Sequence, residues 1–236
     1  MKRIHYQNFG YPKTGTTWLW VNLMNHSEVD HLYDFKNKLV LTDLNNIHPS
    51  ILEFKENYKL IDDKIPDYRE YINWYSRYNV SINFPVTFNI KQSVINRMED
   101  FTTHGSMIIR NPYELLESWG NFTITNRRLG PVERDLFYKT FSNWLNLPSV
   151  IAKWKKFGRP FKILCYDDLK ADPIGFYHSV CDFIGISIEP PTYTSTIYPT
   201  PKTEIFDFDI RLASLINTQI KEAEILLDKD LSHWLG

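Results

Sequence analysis

The sequence predicts an α/β fold, a single domain in which helices flank a central, mostly parallel sheet. Two observations predict it. Short β-prone runs alternate with helical patterns along the chain, and residues that start helices follow directly after several of these runs. With 236 residues and a mass of 28.1 kDa, the chain is long enough for one sizeable core. We therefore expect one domain over residues 1–236.

The formal charge is nearly balanced, with 27 Lys and Arg residues against 28 Asp and Glu residues and a net charge of −1. This balance argues against a nucleic-acid-binding protein, so any anion site must be local. Cys165 and Cys181 lack the spacing of a zinc site, which predicts free buried thiols in a reducing compartment and no metal centre. The sequence has neither a leader pattern nor a run of 18 apolar residues, and we expect a cytoplasmic protein without a membrane segment.

The first predicted strand contains Ile4, Tyr6 and Phe9. A helix over 19–24 follows, and it is too uniformly apolar for a protein surface. The strand and the helix are joined by the sequence Gly10-Tyr-Pro-Lys-Thr-Gly-Thr-Thr-Trp18, a glycine turn that leads into a helix start. The free amides and the positive dipole end at such a start bind anions, so this loop is the predicted phosphate site.

The loop shares the glycine spacing of a Walker A motif, since four residues separate Gly10 from Gly15. The match then ends, because Thr16 stands where a Walker lysine would be and the lysine lies earlier, at Lys13. A lysine on that limb of the loop suits the bridging oxygen of a short anhydride better than a γ-phosphate held with magnesium.

The run from Tyr11 to Trp18 resembles the 5′-phosphosulfate loop of sulfotransferases that use 3′-phosphoadenosine 5′-phosphosulfate (PAPS). The resemblance implies that Lys13 is catalytic and also contacts PAPS. The further contacts to PAPS that it implies come from Thr14, Gly15, Thr16, Thr17 and Trp18. A glycine turn with a chance lysine is the alternative.

The segment after the first helix, residues 25–35, is predicted to turn into a short strand. In an open α/β sheet such a segment returns toward the carboxyl ends of the strands, where ligands bind. This would place His31 and Asp34 where an acceptor could meet them. The alternative is that both are solvated loop residues.

Residues 36–85 are polar and poorly periodic, and we interpret them as an insertion that sets acceptor specificity. A helix is predicted over 68–78. Its aromatic residues share one face, which could be core or an acceptor wall. They are Tyr71, Trp74, Tyr75 and Tyr78.

A strand is predicted over 86–91, and another over 106–109 ends at Arg110. A Walker B strand would instead end in an aspartate that holds magnesium. Asn111-Pro-Tyr-Glu114 then starts a helix, with asparagine as N-cap, proline at N1 and glutamate closing a capping box. Ser118 lies about two turns into this helix, so Arg110 and Ser118 could converge on one phosphate. A salt bridge for Arg110 and a packing role for Ser118 are the alternatives.

The run from Arg110 to Phe122, Arg-Asn-Pro-Tyr-Glu-Leu-Leu-Glu-Ser-Trp-Gly-Asn-Phe, is similar to the 3′-phosphate motif of the same family. The similarity implies that Arg110 and Ser118 hold the 3′-phosphate of PAPS. Together with the first loop it implies the P-loop-like sulfotransferase fold.

The second half of the chain is predicted to contain a helix or helix pair over 132–156 that breaks at Pro148, and a strand over 161–166. Asp167 to Leu169 is expected to be a loop. Asp172-Pro173 caps a helix that ends at Ile184, and a final helix spans 208–227. The Arg-Lys-Gly element that cytosolic family members close over the 3′-phosphate is absent, and Lys202 is its nearest substitute.

The resemblance does not identify the general base. Cytosolic members use the histidine of a Lys-Thr-His run, whereas this chain has Lys91-Gln-Ser93, closer to the Lys-Ser pair of the heparan-sulfate or Golgi type. Lys91 and Ser93 are therefore predicted substrate residues. Asp34 and His31 are the nearest candidates for the base.

The resemblance implies a reaction that moves a sulfuryl group in line from PAPS to a hydroxyl or amine without a metal, leaving 3′-phosphoadenosine 5′-phosphate (PAP). The acceptor would be a small molecule or a glycan, and the oligomeric state is left open. Two alternatives stay open as well. One is a P-loop kinase of small molecules, and the other is a catalytically impaired sulfotransferase-like nucleotide-binding protein, suggested by Ser93 in place of histidine.

Overall fold

A computed structural model describes residues 4–11, 13–31, 80–82, 86–87, 103–127, 146–195 and 210–236. These residues group into two compact units. The described parts of 1–11, 15–109 and 158–199 form the first, and those of 12–14, 110–157 and 200–236 form the second.

The first unit contains a sheet of six parallel strands. They are β1 (Ile4–Gly10), β2 (Val29–His31), β3 (Val80–Ile82), β4 (Val86–Thr87), β5 (His104–Ile109) and β6 (Phe161–Cys165). The order across the sheet is β2-β3-β1-β5-β6, and β4 also pairs with β1. The predicted parallel α/β sheet is thereby confirmed.

The described residues of the same unit also form the helices α1 (Thr16–Met24), α4 (Tyr166–Ala171) and α5 (Pro173–Ile184). The uniformly apolar sequence of α1 is explained by its burial in the core, together with one face of α5. Asp172 caps α5 as predicted, because its Oδ1 accepts a hydrogen bond from the amide of Gly175 over 2.9 Å.

The second unit contains α2 (Pro112–Arg127), α3 (Leu147–Lys155), α6 (Ile210–Leu227) and a 3-10 turn over Ser232–Trp234. Asn111 caps α2 as predicted, since its Oδ1 accepts from the amide of Tyr113 over 2.9 Å. Asn146 caps α3 in the same way, with Pro148 in the first turn. The break that was predicted at Pro148 thus agrees with the structure, in which a helix begins at Leu147.

Several boundaries differ from the sequence predictions. β5 begins at His104 rather than Ser106. Asp167 to Leu169 lie in α4 rather than in a loop, where the two aspartates of its first turn suit the helix dipole. β3 falls inside the range 36–85 that we assigned to an insertion, and it pairs with both β1 and β2. The predicted helix over 68–78 and the rest of that range lie outside the described residues.

Both cysteines are free and buried, as predicted. In the part of the chain that the structure describes, no helix combines the length and apolarity that crossing a bilayer requires. One domain over 1–236 stays a prediction.

Candidate functional site

The loop between β1 and α1 contains two residues with left-handed backbone conformation, Lys13 at φ 68° and Gly15 at φ 85°. For a residue with a side chain this conformation costs about 1–3 kcal/mol and persists only where the surroundings fix it. The fold therefore holds the backbone of Lys13 in one particular place.

Gly15 is required by packing as well as by its backbone angle. A Cβ at this position would lie 2.6 Å from Cδ2 of Leu169 and 3.2 Å from the ring of Tyr166, both on α4. The contact of Gly15 with PAPS that the resemblance implies stays a prediction. Within this unit, the absence of a side chain at Gly15 makes room for α4.

The start of α1 offers backbone donors. The first helical hydrogen bond runs from the amide of Leu19 to the carbonyl of Gly15 over 3.0 Å. The amides of Thr16, Thr17 and Trp18 precede that bond, at the positive end of the helix, and so they can donate to an anion.

The side chains of this loop divide into buried and accessible ones. Thr16 and Thr17 are partly exposed, so their hydroxyls can reach a ligand. Thr14 is fully buried. The indole of Trp18 is also buried and packs edge-to-face on Phe176 and Tyr177. Trp18 can therefore contribute to a ligand site through its backbone amide, while its side chain belongs to the core.

The ammonium of Lys13 lies over an aromatic ring of α2. Its Nζ is 4.7 Å from the ring centre of Phe122, within the range of a cation–π interaction. Burial, and then the nearby positive charge of Arg110, lower the pKa of Lys13 from 10.5 to about 8. A neighbouring anion would reverse the second effect, because an opposite charge favours the ammonium form.

Arg110 follows directly after β5 and links Lys13 to α2. Its Nη1 donates to the carbonyl of Lys13 over 2.8 Å. Its Nε and Nη2 donate to one oxygen of Glu114, over 3.2 and 3.1 Å. The salt bridge that we considered as an alternative for Arg110 is present, and so is a direct connection to the predicted catalytic lysine.

Ser118 lies on the same face of α2 as the partners of both cations. Glu114, Ser118 and Phe122 are spaced by four residues, and such residues are neighbours along one side of a helix. Glu114 contacts Arg110, and Phe122 contacts Lys13. The structure thus brings Lys13, Arg110 and this face of α2 together in the second unit.

The other predicted site residues are described in part or not at all. His31 is the last residue of β2, opposite Ile82 of β3, and its side chain is outside the described part of the structure. Asp34, Lys91, Ser93 and Lys202 also lie outside the described residues. Their assigned roles stay predictions.

Glu114 and Phe122 were not among the predicted site residues. Glu114 was predicted only as part of a helix cap. The available signal was the four-residue spacing that runs from Arg110 through Glu114 and Ser118 to Phe122.

The donor set suits a phosphate-bearing ligand. Lys13 and Arg110 supply two cationic side chains here, of which Arg110 forms an ion pair with Glu114 and Lys13 lies over the Phe122 ring. Charge-assisted hydrogen bonds from arginine to phosphate are among the strongest that a protein can offer. Within the described residues, no group of three or more His, Cys, Asp or Glu side chains is arranged to hold a metal ion.

The fold is similar to two solved sulfotransferases. One is the sulfotransferase from Alicyclobacillus acidocaldarius, with a TM-score of 0.64, 15% identity, and 99% of each chain covered. The other is the sulfotransferase domain from the Synechococcus PCC 7002 olefin synthase, with a TM-score of 0.51 and 18% identity over 98% of this chain and 97% of that one. These similarities confirm the predicted P-loop-like sulfotransferase fold.

Sequence comparison agrees with the fold. A stretch of the chain is 28% identical over 94 residues to Sulfotransferase 2A1 of Rattus norvegicus, covering 35% of this chain and 32% of that protein. The match spans about a third of that relative's length. The family model described as the Sulfotransferase domain matches residues 9–204, most of the chain, including Lys13, Arg110 and Ser118. The chain therefore belongs to the sulfotransferase domain family.

Proposed function

We propose that this chain transfers a sulfuryl group from PAPS to a hydroxyl or amine of a small-molecule or glycan acceptor and releases PAP. The observation that carries the proposal is the cation pair of Lys13 and Arg110. The guanidinium of Arg110 donates a 2.8 Å hydrogen bond to the backbone carbonyl of Lys13, and one face of α2 contacts both side chains. Family membership supports sulfuryl transfer in general.

Lys13 acts on the leaving group. Transfer breaks the bond between sulfur and the bridging oxygen of PAPS and forms a bond between sulfur and the acceptor. Negative charge then develops on the 5′-phosphate that leaves. A fixed ammonium beside that oxygen lowers the barrier, because it stabilises charge that is present mainly in the transition state.

We assign the remaining contacts to PAPS to the hydrogen-bond donors described for the candidate site. The amides at the start of α1, with the hydroxyls of Thr16 and Thr17, bind the 5′-phosphate and the sulfonate. Arg110 and Ser118 bind the 3′-phosphate, with the guanidinium as the charged donor and the hydroxyl as an additional one. A sulfonate carries less charge than a γ-phosphate, so transfer needs no metal ion.

The acceptor must lose a proton during transfer, and we assign this step to His31 or Asp34. Lys91 and Ser93 are proposed to contact the acceptor, and Lys202 to contact PAPS. Assays of His31→Ala and Asp34→Asn as separate variants identify the base, since its loss lowers the turnover number and leaves PAP binding in place. Full rates in both variants would remove this segment from the reaction.

The test of the proposed function is sulfur-35 transfer from labelled PAPS to a panel of phenols, alcohols, amines and glycans, with and without EDTA. We expect transfer in EDTA, and calorimetry in which PAP binds and ATP does not. ATP binding with a strict magnesium requirement would favour a kinase. PAP binding without transfer to any acceptor would favour the impaired nucleotide-binding protein.

A further inference from the structure

Arg110 is held at three of its nitrogens, and two of the three bonds go to Glu114. Nε and Nη2 donate to the same carboxylate oxygen, and Nη1 donates to the carbonyl of Lys13. A guanidinium is a rigid plane, so fixing Nε and Nη2 also fixes the direction in which Nη1 points. Glu114 therefore determines where Arg110 meets Lys13.

The bond to the lysine carbonyl acts on a backbone that needs such support. Lys13 has a positive φ of 68°, and its peptide carbonyl is the group to which Arg110 donates. Releasing Arg110 would let this segment relax toward a more ordinary backbone conformation. The ammonium would then leave its place over the ring of Phe122.

The ion pair is poorly suited to a purely stabilising role. The Glu114 side chain is 38% exposed and the Arg110 side chain is 14% exposed. Water reaches the Glu114 carboxylate and screens its attraction to Arg110, so the pair adds only modestly to folding stability. The orientation that Glu114 imposes on Arg110 is the larger physical effect.

We propose that Glu114 is a positioning residue for sulfuryl transfer, which holds Arg110 so that Arg110 in turn keeps Lys13 in its reactive position. This inference rests on the proposed function of Lys13. It gives Arg110 a second task besides phosphate binding. It also makes a surface carboxylate on α2 a determinant of the turnover number.

The proposal is tested with Glu114→Ala, Glu114→Gln and the control Glu117→Ala, which removes another partly exposed carboxylate from α2. We expect Glu114→Ala to lower the turnover number about 10- to 100-fold, as a small misplacement of a catalytic group does. Glu114→Gln keeps an oxygen acceptor for Arg110 and should recover most of the loss. If Glu114 acted only through its charge at the start of the helix, Glu114→Gln would lower the turnover number as much as Glu114→Ala, because glutamine has no charge.

A double-mutant cycle with Arg110→Ala shows whether Glu114 acts through Arg110. In that background, Glu114→Ala should lower the turnover number by less than about twofold, since residues that act through one another are not additive. A full 10- to 100-fold loss in both backgrounds would overturn the proposal. So would wild-type turnover in Glu114→Ala.

Amide hydrogen exchange on the ligand-free protein tests, independently of activity, whether Glu114 holds the backbone around Lys13 in place. Glu114→Ala should speed exchange in the peptide covering residues 11–18 several-fold, and Glu117→Ala should leave it unchanged. Unchanged exchange in Glu114→Ala would overturn the positioning role even in a protein without transferase activity. Absence of both PAP binding and transfer in the wild type would overturn the proposed function instead.

Discussion

The ammonium of Lys13 lies 4.7 Å from the ring centre of Phe122. The face of an aromatic ring attracts a cation without neutralising it. The lysine is therefore held in place while its full charge stays available to a leaving phosphate. This relationship, together with the hydrogen bond from Arg110 to the Lys13 carbonyl, leads to the following predictions.

Replacing Phe122 with leucine should lower the turnover number roughly two- to fivefold, because an accessible cation–π contact contributes about 0.5–1 kcal/mol. The affinity for PAP should change less. Phe122→Tyr keeps the ring and serves as the control in the same sulfur-35 assay. Equal losses in the leucine and tyrosine variants would show that the ring does not act through its π face.

Replacing Lys13 with alanine should lower the turnover number roughly 100- to 1000-fold, the range seen when one preorganised stabilising group is removed from a reacting centre. PAP should still bind with a modest loss of affinity, measured by calorimetry. Lys156→Ala removes an exposed lysine at the end of α3 and should have no effect. Near-normal turnover in Lys13→Ala would remove this residue from the reaction.

Replacing Arg110 with alanine should weaken PAP binding by roughly 1.5–3 kcal/mol, the contribution of a hydrogen bond to a charged group. Adenosine 5′-phosphate lacks the 3′-phosphate and is the matched ligand control, so its affinity should fall much less. The two affinities are compared by isothermal titration calorimetry. Equal losses for both ligands would contradict the assignment of Arg110 to the 3′-phosphate.

The affinity for PAP should depend on pH through Lys13. Its pKa in the ligand-free protein is lowered to about 8, first by burial and then by Arg110. Bound phosphate favours the ammonium form, so affinity is full below pH 8 and falls above it, by at most about tenfold per pH unit.

The control for the pH dependence is Lys13→Arg, because a guanidinium keeps its charge over the whole range. Calorimetric titrations from about pH 7 to pH 10 should show the inflection in the wild type and not in the variant. An inflection near pH 8 that persists in Lys13→Arg would assign the titration to another group.

Replacing Gly15 with alanine should destabilise the fold by roughly 1–3 kcal/mol, because the left-handed backbone at φ 85° disfavours any side chain. The added Cβ would also lie 2.6 Å from the end of the Leu169 side chain. Urea unfolding of Gly15→Ala measures the loss. The double variant with Leu169→Ala, compared with Leu169→Ala alone, should show a smaller loss, since it relieves the contact and keeps the strain.

Local rules predicted the helix starts well. Asn111 before Pro112 and Asp172 before Pro173 fix caps that need only neighbouring residues. The burial of α1 could also be predicted from neighbouring residues alone, because a continuous apolar sequence is stable only where it is shielded from water. The two loops that identified the family are likewise continuous in sequence.

What the sequence did not reveal depends on distant partners. β3 has only three residues, within a polar stretch, which is too short to show the alternating pattern of a strand. It is a strand because it hydrogen-bonds to β1 and β2. Glu114 is a different case, because its partner Arg110 is only four residues away; the sequence around it also satisfied the pattern of a helix cap, and the structure shows the carboxylate on Arg110. The sequence showed that Gly15 lies in the loop before α1. It could not show that Gly15 packs against α4, which lies some 150 residues later in the chain, as the residue numbers show.

The position of β1 in the sheet has a consequence for biosynthesis. β1 hydrogen-bonds β3 and β4 on one side and β5 on the other, so it is completed by segments that are made much later than itself. Such pairing between distant segments slows folding, because a long loop must close before any contact rewards it. Until His104–Ile109 has been translated, the edge of β1 that pairs with β5 has no partner strand. The sheet can therefore close on both sides of β1 only after translation has passed Ile109.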